Sequence, residues 1–109
     1  MYNLLFSSII DDDIDSIYDY IMEKLESPMA AENLMKELYA KLEYLKEKPY
    51  SRPLVQDKFL ASLGIRSIKV KNYLLFYNIE EDIVNIITFM YNKRDWINIL
   101  KEISLEDIL

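Results

Sequence analysis

The spacing of apolar residues changes once along this chain of 109 residues, and that change restricts the fold more than any other feature. Between residues 10 and 25, apolar side chains recur every three or four residues, as on one face of a helix. A second stripe with the same spacing runs from residue 31 to residue 45. Beyond Gly64, the only glycine, apolar residues alternate with polar ones or form short runs, which is typical of strands. The sequence therefore predicts two helices followed by a sheet.

The join between the two predicted helices is short. Ser27 precedes Pro28, and a serine N-cap followed by a proline at the first helical position marks the start of a helix. This second helix is expected to end before Pro49, because the residue before a proline avoids helical geometry. With only Glu26 and Ser27 at the join, the two helices are predicted to form an antiparallel hairpin.

Four segments are predicted to be strands. Residues 2–6 precede the first helix, and residues 65–71, 73–79 and 83–91 form an antiparallel meander with turns at Asn72 and at residues 80–82. The middle strand of the meander is nearly all apolar, as expected for a central strand that is covered on both faces. Residues 55–63 are ambiguous between a short helix and an irregular segment. The spacing of Trp96, Ile97, Leu100 and Ile103 predicts a closing helical turn.

This order of elements predicts an α+β fold, with the helical hairpin packed on one face of the sheet. No repeat, low-complexity stretch or linker interrupts the sequence, so residues 1–109 are predicted to form a single domain. Apolar residues make up 51% of the chain, which is enough to fill a core at this size.

Cysteine and histidine are both absent from the sequence. Without cysteine there is neither a disulfide framework nor a thiolate metal site. Without histidine, imidazole zinc sites, Ser-His-Asp hydrolysis and histidine general bases are excluded. No segment has the length and apolar character of a membrane span, and none resembles a signal peptide. We therefore expect a cytoplasmic protein that uses no cofactor or metal and does not bind a membrane.

Three consecutive aspartates at residues 11–13 suggest a metal site at first sight. Adjacent residues of a helix point about 100° apart, so the three carboxylates cannot all reach one ion. We expect them in the first turn of the first helix, where the helix dipole favours negative charge.

The net charge of −6 is distributed unevenly. Residues 48–79 hold six basic residues and one acidic residue, whereas the flanking segments carry net charges of −7 and −4. The acidic total argues against non-specific coating of nucleic acid, which depends on many phosphate contacts. The basic middle third is nevertheless able to present a positive face to an anionic partner.

Six short motifs run across nearly the whole chain. They are Ile10-x-x-Asp13-Ile14-x-x-Ile17-x-x-Tyr20-Ile21, Ser27-Pro28-x-Ala30-Ala31, Pro49 with Pro53-x-Val55-x-Asp57, Gly64-Ile65-Arg66, Val70-x-Asn72-Tyr73-Leu74-Leu75-Phe76-Tyr77, and Tyr91-Asn92-Lys93-Arg94-Asp95. In this order they resemble the RelE/ParE superfamily of toxins from bacterial type II toxin–antitoxin systems. The resemblance implies a small cytoplasmic toxin that is neutralised by a cognate antitoxin, with roles in growth inhibition and plasmid stabilisation.

The superfamily includes RelE-like enzymes, which cut mRNA on the ribosome. Cutting RNA with its own 2′-hydroxyl needs a base, cations for the phosphate and an acid for the leaving oxygen. The resemblance places Lys69 on the basic strand position of these nucleases, and Lys93 or Arg94 on their basic loop. Tyr91 is a candidate for the acid or base, although it precedes that loop. The rest of the nuclease set is missing, since Ser67, Leu74 and either Ile99 or Leu100 stand where it is expected.

The superfamily also includes ParE-like toxins, which poison DNA gyrase and need a binding surface rather than an acid–base pair. The incomplete nuclease set favours this branch, or another target that is bound without nucleolysis. The surface is predicted to comprise Arg66, Lys69, Lys71, Tyr73, Lys93 and Arg94. Expected partners are the antitoxin and either DNA gyrase or the ribosome with mRNA, and no free small-molecule substrate is expected. A RelE-like endoribonuclease and an inactive, antitoxin-binding member are the alternatives.

Simpler interpretations of the same residues stay open. Lys69 and Lys71 fit the solvated side of an antiparallel strand. Arg66 shares a predicted strand face with apolar residues, so it is either an anion contact or a half-buried residue paired with Asp57 or Asp95. Tyrosines 73, 77 and 91 fit the core or its rim as well as they fit a binding platform.

Overall fold

The computed structural model describes residues 1–103. In chain order the elements are β1 (Asn3–Phe6), α1 (Ile10–Asp19), α2 (Pro28–Glu47), α3 (Lys58–Ser62), β2 (Arg66–Val70), β3 (Tyr73–Glu80), β4 (Ile83–Tyr91) and α4 (Trp96–Ile103). A π-helical turn, Tyr20–Lys24, extends α1, and a 3-10 turn, Pro49–Ser51, follows α2. The predicted α+β order is confirmed. The predicted domain also includes residues 104–109, which lie outside the described part of the chain.

The four strands form one sheet in the order β1–β4–β3–β2. Neighbours β2, β3 and β4 are antiparallel, which confirms the predicted meander, and β1 lies parallel to β4. Phe76 of β3 lies opposite Thr88, whereas the next residue, Tyr77, lies opposite Ile86. Ile87 is therefore an extra residue in β4, which is the definition of a β-bulge. Strands β1 and β2 form the two edges of the sheet.

The helical hairpin covers one face of the sheet, as predicted. Leu34, Leu38 and Leu45 of α2 are buried in one core with Leu75 of β3 and Phe89 of β4. Their recurrence every three or four residues explains why α2 turns one stripe towards the sheet. The opposite stripe carries the lysines and glutamates of α2.

Both ends of α2 follow the sequence signals. The Ser27 hydroxyl accepts a hydrogen bond from the Ala30 N–H at 3.3 Å, which confirms the predicted N-cap. The helix ends at Glu47, before Pro49, as predicted. At the join, Glu26 has a φ of 50°, and this left-handed conformation turns the chain from α1 into α2.

Two short helices cover the other face of the sheet. Leu60 of α3 and Leu100 of α4 are fully buried together with Phe76 of β3. The ambiguous segment at residues 55–63 contains α3, whose first turn is capped by the Asp57 carboxylate accepting from the Leu60 N–H at 3.0 Å. The closing helix predicted near the C-terminus is α4.

No helix within residues 1–103 combines the length and the apolar character needed to cross a membrane.

Candidate functional site

The turn after β2 and the loop after β4 meet at one end of the sheet. Tyr73 lies opposite Tyr91 in the antiparallel register, and just beyond this pair the Asn92 N–H donates to the Asn72 carbonyl at 2.9 Å. Lys71, in the tight turn, has a φ of 54°. This end, made of residues 71–73 and 91–94, is called the sheet end below. It brings Lys71, Tyr73, Tyr91, Lys93 and Arg94 of the predicted set into one region.

A cleft of about 770 Å³ opens between the sheet end and the helical hairpin. Tyr73, Tyr91 and Arg94 line it from the sheet side, and Tyr20 and Leu25 line it from the end of the first helix. This end cleft combines aromatic walls with a guanidinium group. Such a combination suits an apolar or aromatic side chain that lies next to an anionic group.

The π-helical turn shapes the helix side of the cleft. The Leu25 N–H donates to the Tyr20 carbonyl at 3.2 Å, five residues back instead of four. Tyr20 and Leu25 are 53% and 56% exposed, which leaves both side chains available to a partner. Neither residue was predicted to belong to the site, since a helical stripe carries no sign of a local π-helical turn.

The tyrosines of the cleft pack against one another. The rings of Tyr73 and Tyr91 meet edge to face with centroids 5.7 Å apart, and Tyr73 also lies 5.4 Å from the Phe89 ring. Burial raises the pKa of the Tyr73 phenol, and the neighbouring phenols of Tyr20 and Tyr91 raise it further. Tyr73 is therefore neutral near pH 7, where it serves as a hydrogen-bond donor and a packing surface rather than as a base.

Three cations lie at the sheet end, and one of them, Arg94, lines the cleft. Lys71, Lys93 and Arg94 are all exposed, and their side chains make no hydrogen bond or ion pair with any of residues 1–103. Exposed cations without intramolecular partners keep their charge and their donors available to an anionic group on another molecule.

Asp13 forms part of the cleft wall and fixes α1 to the sheet. Its Oδ2 accepts from the Thr88 hydroxyl at 2.6 Å and from the Phe89 N–H at 3.3 Å. These groups lie on the side of β4 beyond the end of β1, where no neighbouring strand is present to accept their hydrogen bonds. The Asp13 carboxylate accepts them instead. This role was not predicted, because aspartates in a first helical turn are already explained by the helix dipole. Within residues 1–103 no three carboxylates gather as a metal site.

Lys69 is separated from the rest of the predicted set. It lies opposite Leu74 of β3, which in turn lies opposite Met90 of β4, whereas Tyr91 lies one residue further along. Residues directly opposite share a face and consecutive residues alternate, so Lys69 and Tyr91 project from opposite faces of the sheet. Lys69 is exposed, in agreement with the solvated-strand interpretation.

Arg66 belongs to a different region, at the corner where α2 ends. Its guanidinium lies 5.1 Å from the centre of the Tyr50 ring and donates to the Arg52 carbonyl. Behind it, the buried Tyr77 hydroxyl donates to the Pro49 carbonyl at 2.7 Å. These five residues are called the Arg66 corner below.

Of the two interpretations of Arg66 that the sequence left open, the pairing with Asp57 or Asp95 is wrong. Asp57 caps α3 and lies 3.5 Å from Lys101 Nζ, and Asp95 accepts from Asn98 at 2.7 Å. The Leu60 N–H, followed by Lys101, holds the pKa of Asp57 below its usual range. Arg66 bonds a backbone carbonyl instead, because its strand bridges Leu54 and so lies beside the segment that follows α2.

A family model described as "ParE toxin of type II toxin-antitoxin system, parDE" matches residues 4–96. Among 11 matching chains of solved structures is one described as the chromosomal ParDE toxin–antitoxin system from P. aeruginosa. Its TM-score is 0.67 at 15% identity, over 84% of this chain and 96% of that chain, so the likeness shows a shared fold. No curated protein matched the chain in a sequence search.

Proposed function

We propose that this chain, which belongs to the ParE toxin family and is the toxin component of a type II toxin–antitoxin system, inhibits growth by binding an essential target. The proposed target is DNA gyrase, and the proposed binding surface is the sheet end. The target is bound rather than cut in this proposal. The cognate antitoxin is proposed to neutralise the toxin by covering the same end.

The observation that carries the proposal is the separation of Lys69 from the other candidate catalytic residues, which lie together at the sheet end. Lys69 projects from one face of the sheet and Tyr91 from the other, so a phosphate held by one is out of reach of the other. Tyr73, which does lie beside Tyr91, has a raised pKa and is a poor base at neutral pH. What remains at the sheet end is a contact surface of exposed cations and tyrosines.

Charge supports an acidic antitoxin segment as the neutralising partner. Lys71, Lys93 and Arg94 have no anionic partner within residues 1–103, although the chain as a whole carries a net charge of −6. Carboxylates of an antitoxin laid over these cations gain charge-assisted hydrogen bonds without first breaking intramolecular ones. Lys69, on the opposite face, is expected to contribute less to this contact.

Induction of the chain without its antitoxin, with pulse-labelling of DNA and protein synthesis, tests the choice of target. The proposal predicts that DNA synthesis fails first. Translation failing first would contradict it and favour the RelE-like alternative, in which mRNA is cut on the ribosome. No arrest from a folded protein would favour the inactive, antitoxin-binding alternative.

Charge reversal tests the surface. Lys93→Glu is expected to weaken both toxicity and antitoxin binding, whereas Lys36→Glu is the matched control. Lys36 is an exposed lysine of α2 that does not line the end cleft, and its reversal changes the net charge by the same amount. Equal effects of the two variants would assign the result to net charge and would argue against the sheet end.

A further inference from the structure

The two edges of the sheet are protected to different degrees. At the β2 edge, Lys69 supplies a charge, Arg66 bridges Leu54, and α2 packs beside the strand. Strand β1 itself has no charged side chain, because none occurs before Asp11. The charged residues of α2 beside it, Glu43 and Lys46, form an ion pair at 2.9 Å. An uncharged, apolar edge strand is uncommon in monomeric proteins, since it is a ready template for another strand.

The backbone of β1 has hydrogen-bonding groups that face outward. The Asn3 N–H donates to the Asp82 carbonyl at 2.8 Å, and the Ser7 N–H donates to the Ile86 carbonyl at 3.0 Å. Because alternate residues of a strand face alternate neighbours, the N–H and C=O groups of Leu4 and Phe6 point away from β4. They lie along the edge of the sheet, beyond Tyr2, whose N–H donates to the Lys46 carbonyl at the end of α2 at 2.9 Å.

The side chains of β1 are apolar on both faces of the sheet. Leu5 is 58% exposed on one face, and Phe6 is 47% exposed on the other. A groove beside Phe6 is lined by Tyr39 of α2, which is 68% exposed, and by Glu43 and Lys46. A groove beside Leu5 is lined by Ile103 of α4 and by Glu80. A strand added at this edge therefore meets an exposed apolar side chain of β1 on each face of the sheet.

We propose that the added strand is β1 of a second copy of this chain, paired antiparallel about a two-fold axis. Strand β1 has the required pattern, with Leu4 and Phe6 on one face and Leu5 on the other, and no charge on it repels its copy. In this register Leu4 of each copy exchanges backbone hydrogen bonds with Phe6 of the other, and the two Leu5 residues meet at the axis.

The proposed dimer is a property of the free toxin and does not depend on the target proposed above. The contact is one short strand with its flanking side chains, and interfaces below about 1,200 Å² are typical of weak complexes. We expect monomers near about 1 µM and dimers near about 100 µM.

A single cysteine tests the register directly, because the chain has no cysteine of its own. Side chains of a non-hydrogen-bonded antiparallel pair lie close enough for a disulfide. Leu5→Cys is therefore expected to form a covalent dimer rapidly under mild oxidation at about 100 µM. Lys69→Cys, on the exposed opposite edge, is the control and is expected to remain largely monomeric.

Sedimentation of the wild-type chain and of Leu5→Lys supplies an independent readout. The wild type is expected to dimerise at about 100 µM, whereas Leu5→Lys is expected to stay monomeric because two ammonium groups meet at the axis. Circular dichroism checks that each variant is folded.

Three results would overturn the proposal: a wild-type chain that stays monomeric, a dimer that persists in Leu5→Lys, or cysteines at positions 5 and 69 that crosslink equally fast. An edge that takes up an antitoxin strand instead of a second copy gives the first of these results.

Discussion

Two regions of this molecule place an arginine beside tyrosines, and only one of them leaves the arginine available to a partner. In the Arg66 corner, the guanidinium stacks on Tyr50 and donates to the Arg52 carbonyl. In the end cleft, Arg94 lies beside Tyr91, and its guanidinium makes no hydrogen bond or ion pair with any of residues 1–103. We infer that the corner serves stability and that the cleft serves binding. The residue types are the same, and what distinguishes the regions is whether the backbone already uses the guanidinium donors.

The largest expected effect comes from reversing charge at the cleft. Arg94→Glu combined with Lys93→Glu is expected to lower affinity for the target by about 100-fold or more, because loss of one partner of a charge pair that the interface buries costs about 2–5 kcal/mol. Growth after induction, normalised to the amount of folded protein, measures the effect.

The stability of this double variant separates binding from folding. Both side chains are exposed, so the free energy of unfolding is expected to change by less than about 0.5 kcal/mol. A large loss of stability would mean that the cleft arginine, like Arg66, has a structural role.

Removal of the Asp13 carboxylate tests the cleft wall. Asp13→Ala leaves the Thr88 hydroxyl and the Phe89 N–H without their acceptor and is expected to destabilise the fold by about 2–3 kcal/mol. Asp12→Ala is the control, since it removes an exposed carboxylate from the same helical turn. Chemical denaturation of both variants gives the difference. Equal losses of stability in Asp13→Ala and Asp12→Ala would mean that the effect comes from the helix dipole and not from the hydrogen bonds of Asp13.

Arg66→Ala probes the corner. Loss of the stacking on Tyr50 and of the hydrogen bond to Arg52 is expected to cost about 1–2 kcal/mol of stability. Toxicity per folded molecule is expected to stay unchanged, which is the opposite of the result expected at Arg94. A loss of toxicity in a stable Arg66→Ala protein would instead make the corner part of the binding surface.

Of the variants expected to destabilise the fold, Tyr77→Phe gives the smallest loss of stability, about 1 kcal/mol, because it removes only the hydrogen bond that Tyr77 donates to Pro49. Burial raises the pKa of Tyr77 to about 12, whereas the unfolded phenol ionises near pH 10. Its stabilising contribution is therefore complete below pH 10 and is lost as the pH rises towards about 12. Denaturation at several alkaline pH values should show the wild type losing more stability than Tyr77→Phe. Parallel losses would contradict the raised pKa.

Most of the fold could be predicted from local patterns, because each element has its own signal. The stripes of α1 and α2, the Ser27 cap and the stop before Pro49 all act within a few residues. The parallel pairing of β1 with β4 was not predicted, since it joins residues about 80 positions apart and depends on how the intervening helices pack. Because the edge position of β1 depends on this pairing, the exposed β1 edge was not predicted either.

The site was harder to predict, because its residues are related by register and not by spacing. That Lys69 and Tyr91 project from opposite faces follows only once Leu74 is known to lie opposite Met90. The partner of Arg66 is a backbone carbonyl, which has no sequence signature. Tyr20 lines the cleft from a π-helical turn, and ordinary helical spacing does not indicate such a turn.

The most direct test of the comparison is the affinity of the purified chain for DNA gyrase, measured for the wild type, Arg94→Glu and Arg66→Ala in the same buffer. We predict that Arg94→Glu binds about 100-fold more weakly, while folded Arg66→Ala binds as the wild type does. Equal binding by all three proteins, or a loss confined to Arg66→Ala, would contradict the assignment of the end cleft as the target-binding site.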